Sequence, residues 1–260
     1  MSRIHYAALF IRNERNDILM PCKMEKELSV FISQCDSTSK MSMPSIFTLF
    51  GDLASEHAPQ IGLGSDTLAE KDLFWVAVRT KIKVHRRPEM TECFRAFTWP
   101  EAPGRVRCVR YYSLTDLSSA LLAEGKTEWA IVDLATGRPH KLSEIYPEEM
   151  QHLTDTACDE PFGKIAESTD DTEHFASYTV RSTDIDIGQH MNNAAYIRAV
   201  FGAFTCAELE AMNISDIEIN FKAQCYEGDE LSFYKRKCGD AVEIVILRPD
   251  SKCAATVRLA

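Results

Sequence analysis

The chain has 260 residues, 45% of them apolar and 26% charged, and 39 acidic against 29 basic side chains leave a formal net charge of −10. That apolar share suits one large domain or two of ordinary size, and the mixed charge excludes a disordered chain. The negative balance argues against general affinity for nucleic acid or an anionic membrane, and no apolar run reaches the roughly 20 residues of a membrane span.

Residues 1–24 fit poorly with the rest of the chain and read as an N-terminal extension, with Met24 as an alternative start. The opening "IHYAALFI" is followed closely by Arg12, Glu14, Arg15 and Asp17. From residue 25 the predicted elements form two copies of one plan. In the first, a short strand, "ELSVFISQ", leads through a polar turn into an apolar helix, "PSIFTLFGDLASEHA", with Ser42 and Pro44 suited to its first turn. Strands come next. In "WVAVRTKIKVH", Val76, Val78, Ile82 and Val84 share one face while Arg79, Lys81, Lys83 and His85 share the other. "CFRAFTW", "RVRCVRYYSL" and "TEWAIVDL" are further candidates, and residues 151–174, rich in Asp, Glu and Thr, read as a linker.

The second copy starts with "ASYTVRS" and passes through "DIDIGQHMNN" into an apolar helix expected over Ala194–Met212, N-capped by Asn192 or Asn193. "DIEINFKAQC" alternates next, with Ile217, Ile219, Phe221 and Ala223 inward, before "ELSFYKR", "VEIVIL" and "AATVRL". Displacing the chain by 150 places lays Val30 on Val180, Asp36 on Asp186, Lys40 on His190 and Met41 on Met191, and a displacement of 138 lays Arg86 on Gln224. Helices that are hydrophobic almost all round belong inside a domain. The expected fold class is therefore α+β: two tandem hotdogs over 25–150 and 175–260, each an antiparallel sheet wrapped around a long apolar helix.

Four blocks, "FWVAVRTKIKVHRRPEMTECFRAFTW", "EWAIVDLATGRPHKL", "DIDIGQHMNNAAYI" and "EINFKAQCYEGDELSF", resemble in order and spacing the plant and bacterial acyl-ACP thioesterases over about residues 25–260. The resemblance implies hydrolysis of the thioester joining a fatty acyl chain to acyl carrier protein, in fatty acid biosynthesis. It implies a catalytic C-terminal hotdog, an N-terminal one that shapes the acyl pocket, and no cofactor; the histidines are scattered, and no spacing suggests a metal site. The family's site runs Asp, then Asn two residues on, then His two further, with a Glu on the strand after the helix. Asp186 and His190 match. Gly188 stands where the family has Asn, Gln224 stands where it has Glu, and Cys225 matches a cysteine of plant members once proposed as a nucleophile.

Thioester hydrolysis needs a polarised carbonyl, an activated water and a protonated leaving thiolate. Unpaired amides at the start of the second helix would face the developing oxyanion. Asp186 would orient or activate water, and His190 would shuttle a proton or hold substrate. Gln224 completes the catalytic set by position, but an amide has no useful pKa for a base. Gln189 restores an amide beside Gly188, and Gly188, Gln189, Asn192, Asn193 and Cys225 are expected to contact substrate. Cys225 reads more readily as a small packing residue than as a nucleophile.

His57 reads as a charge favoured at a helix C-terminus. The stripe Arg79, Lys81, Lys83, His85, extended by Arg86 and Arg87, is either a solvated sheet face or, with Arg105, Arg107 and Arg110, a docking surface for acidic acyl carrier protein. Two fused hotdogs already satisfy the interface that single ones use to pair, so a monomer or homodimer is expected. Nine cysteines, an odd number without CxxC pairs, and no secretory leader suggest a reduced cytoplasmic chain. The alternative to an enzyme is a catalytically reduced double hotdog that binds acyl-ACP or acyl-CoA without turnover, which Gly188 and Gln224 favour.

Overall fold

The computed structural model describes residues 22–148 and 150–260, so the expected extension over 1–24 lies almost wholly outside the described residues. The chain divides into two compact units. The first takes in the described residues up to Ala77 and Val84–Asp159; the second takes in Val78–Lys83 and Glu160–Ala260.

The first unit contains β1 (Met24–Ser29), α1 (Met43–Gln60), α2 (Ser65–Ala69), half of β2 (Leu73–Val84), β3 (Cys93–Pro100), β4 (Cys108–Asp116) and β5 (Leu121–Asp133), with strand order β1-β3-β4-β5-β2. Helix α1 begins where Ser42 Oγ accepts the Ser45 amide at 3.2 Å, two residues before Pro44, whose nitrogen cannot donate. Its buried residues, Met43, Ile46, Phe47, Phe50, Leu53, Ala54 and His57, recur at spacings of three and four. Gly51, Asp52 and Ser55 are exposed, so the helix is amphipathic and not apolar all round. Phe50 stacks on Tyr112 of β4 with ring centroids 4.8 Å apart; burying such a ring is worth about 1.5–3 kcal/mol.

His57 is the exception on that face. It is fully buried, and its Nδ1 lies 2.8 Å from Arg110 Nη1. A guanidinium only donates, so Nδ1 must accept and the imidazole is neutral. The expected surface charge at the helix end is instead a buried acceptor. Arg110 is correspondingly buried and cannot dock a partner.

The second unit contains β6 (Glu173–Thr179), α3 (Asn193–Gly202), α4 (Cys206–Met212), β7 (Asp216–Phe221), β8 (Glu230–Cys238), β9 (Ala241–Leu247) and β10 (Cys253–Leu259), ordered β7-β10-β9-β8-β6. Residues Arg79–Lys83 pair with β7, Arg79 opposite Asn220 and Lys83 opposite Asp216. Two expectations change here. The single helix over Ala194–Met212 is two: α3 stops at Gly202, and Thr205 with Glu208 forms a capping box that starts α4, Thr205 N donating to Glu208 Oε2 at 2.7 Å. Strand β7 stops at Phe221 because the Lys222 and Ala223 amides both donate to Ala254 O, at 2.8 and 3.1 Å. Sharing one carbonyl breaks the two-residue period, so Gln224 and Cys225 lie beyond the strand.

The basic stripe is paired within its own chain. Glu160 meets Lys83 Nζ at 2.6 Å and Lys81 Nζ at 3.1 Å, which holds its carboxyl down at about 2, and Phe162 lies under the Arg79 guanidinium at 4.2 Å. Within the first unit, His85 meets Glu124 and Arg86 meets Glu92. Lys81, Lys83, His85 and Arg86 thus each meet a carboxylate of their own chain, and Arg79 meets an aromatic ring.

Candidate active site

Residues 182–193 form a short 3-10 turn, Ser182–Asp184, a tight loop, and the start of α3. The loop is closed by backbone bonds: Asp186 N to His190 O at 3.1 Å and Gln189 N to Asp186 O at 3.0 Å. Gln189 adopts φ of 61°, a left-handed conformation that favours glycine or asparagine. The loop is fixed to its surroundings by Met191 N on Cys225 O and Asn192 N on Asp184 O, both 2.8 Å. Asp184, which sequence reasoning passed over, is buried and accepts from the Tyr178 hydroxyl at 2.7 Å and the Arg181 amide at 2.9 Å. Its twin Gln34 accepts from Phe31 N in the same way, a signal the overlay of the two halves contained.

Asp186 Oδ1 accepts the Gly188 amide at 2.8 Å, and Asn192 Nδ2 approaches Asp186 Oδ2 at 3.4 Å. The same Asn192 caps α3, its Oδ1 accepting from Ala194 N at 2.8 Å. The structure therefore joins Asp186, Gly188 and Asn192 in one network. His190 stands in the same loop, half-buried, with Nδ1 3.4 Å from Met191 O.

The amides at the head of α3 are mostly occupied. Ala194 N goes to the Asn192 side chain and Ala195 N to the Asn192 carbonyl. Asn193 N, at the first position of α3, has no protein acceptor among the described residues. Behind it, α3 is buried along nearly its whole length, Arg198 being the exposed side chain between Ile197 and Ala199.

Gln224 is exposed. Its Oε1 accepts the Tyr226 hydroxyl at 3.1 Å and its carbonyl accepts Arg248 Nη1 at 2.7 Å, and among the described residues no hydrogen bond joins it to Asp186. Cys225 is fully buried; burial pushes its thiol up, with the Tyr196 hydroxyl opposing, so the thiolate form is disfavoured. A half-open cavity of about 380 Å³ lies elsewhere in the second unit, lined by Lys81, Glu160, Gly163, Glu218 and Arg258 among others, and none of the site residues lines it.

The family model described as the acyl-ACP thioesterase N-terminal domain matches residues 21–150, and that of the C-terminal domain matches residues 167–251. The chain belongs to the acyl-ACP thioesterase family. Its structure is similar to that of an acyl-ACP thioesterase from Bacteroides thetaiotaomicron, with a TM-score of 0.81 and 22% identity, covering 91% of this chain and 96% of that one. It is similar also to the 12:0-ACP thioesterase from Umbellularia californica, with a TM-score of 0.78 and 18% identity, covering 92% and 96%. At these identities the likeness establishes the fold, the α+β double hotdog. The chloroplastic oleoyl-acyl carrier protein thioesterase of Coriandrum sativum is 22% identical over 204 residues, 72% of this chain and 55% of that protein. The chain spans about half the length of the curated relatives it matches. Among the described residues, no helix is long and apolar enough to cross a membrane.

Proposed function

We propose that this chain hydrolyses the thioester between a fatty acyl group and acyl carrier protein, releasing the free acid with water as nucleophile. The observation that carries the reading is the loop at 186–193. It holds a carboxylate with unused acceptor capacity, an imidazole and an unpaired amide at the head of a buried apolar helix. Asp186 accepts a proton from, or orients, the attacking water. The Asn193 amide donates to the carbonyl oxygen as it gains charge, aided by the positive end of α3. His190 supplies the proton that the departing thiolate takes up. Asn192 positions Asp186 while it caps the helix. Cys225 serves packing and the anchoring of Met191. Acyl carrier protein is the partner on this reading.

A second reading, binding of acyl-ACP or acyl-CoA without turnover, is favoured by one observation: Gln224, at the family's Glu position, is an amide engaged by Tyr226 and Arg248. Thiol release from a series of acyl-ACPs separates the two. Release that His190→Ala lowers by about 10²-fold or more supports the enzyme. Stoichiometric binding with no His190-dependent release supports the binding protein.

A further inference from the structure

The half-open cavity of the second unit, about 380 Å³, is large enough to hold a small molecule. One wall is a row of charges set by register: Lys81 of β2 stands opposite Glu218 of β7, and Glu218 stands opposite Arg258 of β10. Segment 160–163 lies against this row, with Glu160 on Lys81 and Gly163 beside the Glu218 carboxylate.

Glu218 is short of donors. It is 5% exposed, its Oε1 accepts no hydrogen bond, and its Oε2 lies 3.9 Å from Lys81 Nζ. Lys81 is held more closely elsewhere, by Glu160 Oε2 at 3.1 Å and Pro161 O at 3.3 Å. Burial pushes the Glu218 carboxyl up, and Lys81, the Gly163 amide, Arg79 and Arg258 do not bring it back. A buried carboxylate in that position is strongly unfavourable. Across from it, Arg258 is half-buried and has no hydrogen bond or ion pair among the described residues. Its other cross-strand neighbour, Glu243, is taken by Arg236 at 3.0 Å. Two opposite charges therefore line the cavity from adjacent strands, and neither closes on the other.

The charge count points to the ligand class. The lining sets Lys81 and Arg258 against Glu160, Asp216 and Glu218, and Lys83, 2.6 Å from Glu160, brings the balance to zero. A lone anion would meet the carboxylates and a lone cation the basic groups, whereas a molecule carrying both signs meets a partner for each. We propose that this cavity binds a free aliphatic α-amino acid, its ammonium donating to the Glu218 carboxylate and its carboxylate accepting from the Arg258 guanidinium. The two charges of an α-amino acid sit on one carbon, which suits residues directly opposite on neighbouring strands, with Cβ atoms about 5 Å apart. Its carboxylate presents the planar pair of oxygens that a guanidinium fork takes. Pro161 and Ile217 supply apolar lining for the side chain.

Titration calorimetry on the full chain tests this with L-leucine and its two one-ended analogues, isopentylamine and 4-methylpentanoate. L-leucine is expected to bind at least about tenfold more tightly than either, and Glu218→Gln and Arg258→Gln should each weaken it by roughly tenfold or more. Gly163→Ala keeps every charge: the added methyl would stand 3.4 Å from Glu218 Oε2, an ordinary contact, and should weaken L-leucine severalfold by crowding the carboxylate. That variant and Arg258→Gln, at a half-buried position, carry the test if Glu218→Gln does not fold. Isopentylamine binding as tightly makes this a cation site and overturns the proposal; 4-methylpentanoate binding as tightly makes it an anion site and overturns it equally. L-leucine binding indifferent to Arg258→Gln and Gly163→Ala, or absence of binding by all three probes, overturns it as well. Affinity should be unchanged in His190→Ala, since no turnover is involved; a loss there would place the ligand at the 186–193 loop and overturn the assignment to this cavity.

Discussion

Residues 35–42 and 185–192 are the same turn built twice, and the contrast between them shows how one backbone can leave an aspartate saturated or with acceptor capacity to spare. Asp36 N donates to Lys40 O as Asp186 N does to His190 O, and Ser39 sits at φ of 59° where Gln189 sits at 61°. Ser42 N donates to Gln34 O as Asn192 N does to Asp184 O, both at 2.8 Å. The carboxylates differ. Asp36 is saturated: it accepts from Thr38 N at 2.9 Å and Thr38 Oγ1 at 2.6 Å, and its other oxygen pairs with the Arg87 guanidinium. Asp186 accepts the equivalent amide, but Gly188 brings no hydroxyl, and the oxygen that would meet an arginine has only the long contact from Asn192. A carboxylate with spare lone pairs beside a histidine can take a water; one that is fully engaged beside a lysine cannot.

The most severe test of that contrast exchanges each aspartate for its amide. Asp186→Asn should lower kcat on acyl-ACP by about 10²–10⁴-fold. Asp36→Asn should leave kcat near wild type and lower the melting temperature instead. Loss of turnover in both variants, or in neither, would remove the distinction between the turns.

A smaller effect is expected at Gln224. Met41 N bonds Pro88 O where Met191 N bonds Cys225 O, so the displacement at this point is 137, one fewer than the sequence overlay used, and the partner of Gln224 is Arg87 and not Arg86. In the first turn that position reaches the aspartate; in the second it turns toward Tyr226. Gln224→Glu restores a titratable group and should raise kcat by roughly tenfold or more, with a new acidic limb in the pH–rate profile at about 4–5. Gln224→Arg, which recreates the first turn's ion pair on Asp186, should lower it. Rates unmoved by either change would mean that residue 224 lies outside the reaction.

Much of this was legible in the residues. Alternation and order gave the two hotdogs, and the Asn192 cap and the 150-residue overlay gave the paired turns. What was not legible has physical causes. The break after Gly202 hid inside an apolar run, although Thr205 and Glu208 carry a capping-box spacing that marks it. The end of β7 depends on two amides sharing Ala254 O, a tertiary event with no local signature. The basic stripe looked solvated because Glu160 and Phe162 reach it from far along the chain. Arg110 read as one more surface cation because strand alternation alone does not reveal which face α1 covers.

The mildest prediction concerns the pair that keeps Asp36 quiet. Its side chains retain 23% and 33% of their exposure, so Arg87→Gln should cost only about 1 kcal/mol. The pH dependence has a definite sign. Burial tends to raise the Asp36 carboxyl, but Thr38 and Arg87 outweigh it and hold the folded value below the usual one. The stabilisation is therefore fully present above the unfolded value of about 3.9 and is lost as the pH falls through the lower folded value. Melting curves of wild type and Arg87→Gln should stay separated by a constant gap above about pH 5 and converge as the pH drops below about 4. A gap that instead widens toward acid would mean that Arg87 stabilises the turn by some route other than its charge on Asp36, and the two aspartates would then differ less than their hydrogen bonds suggest.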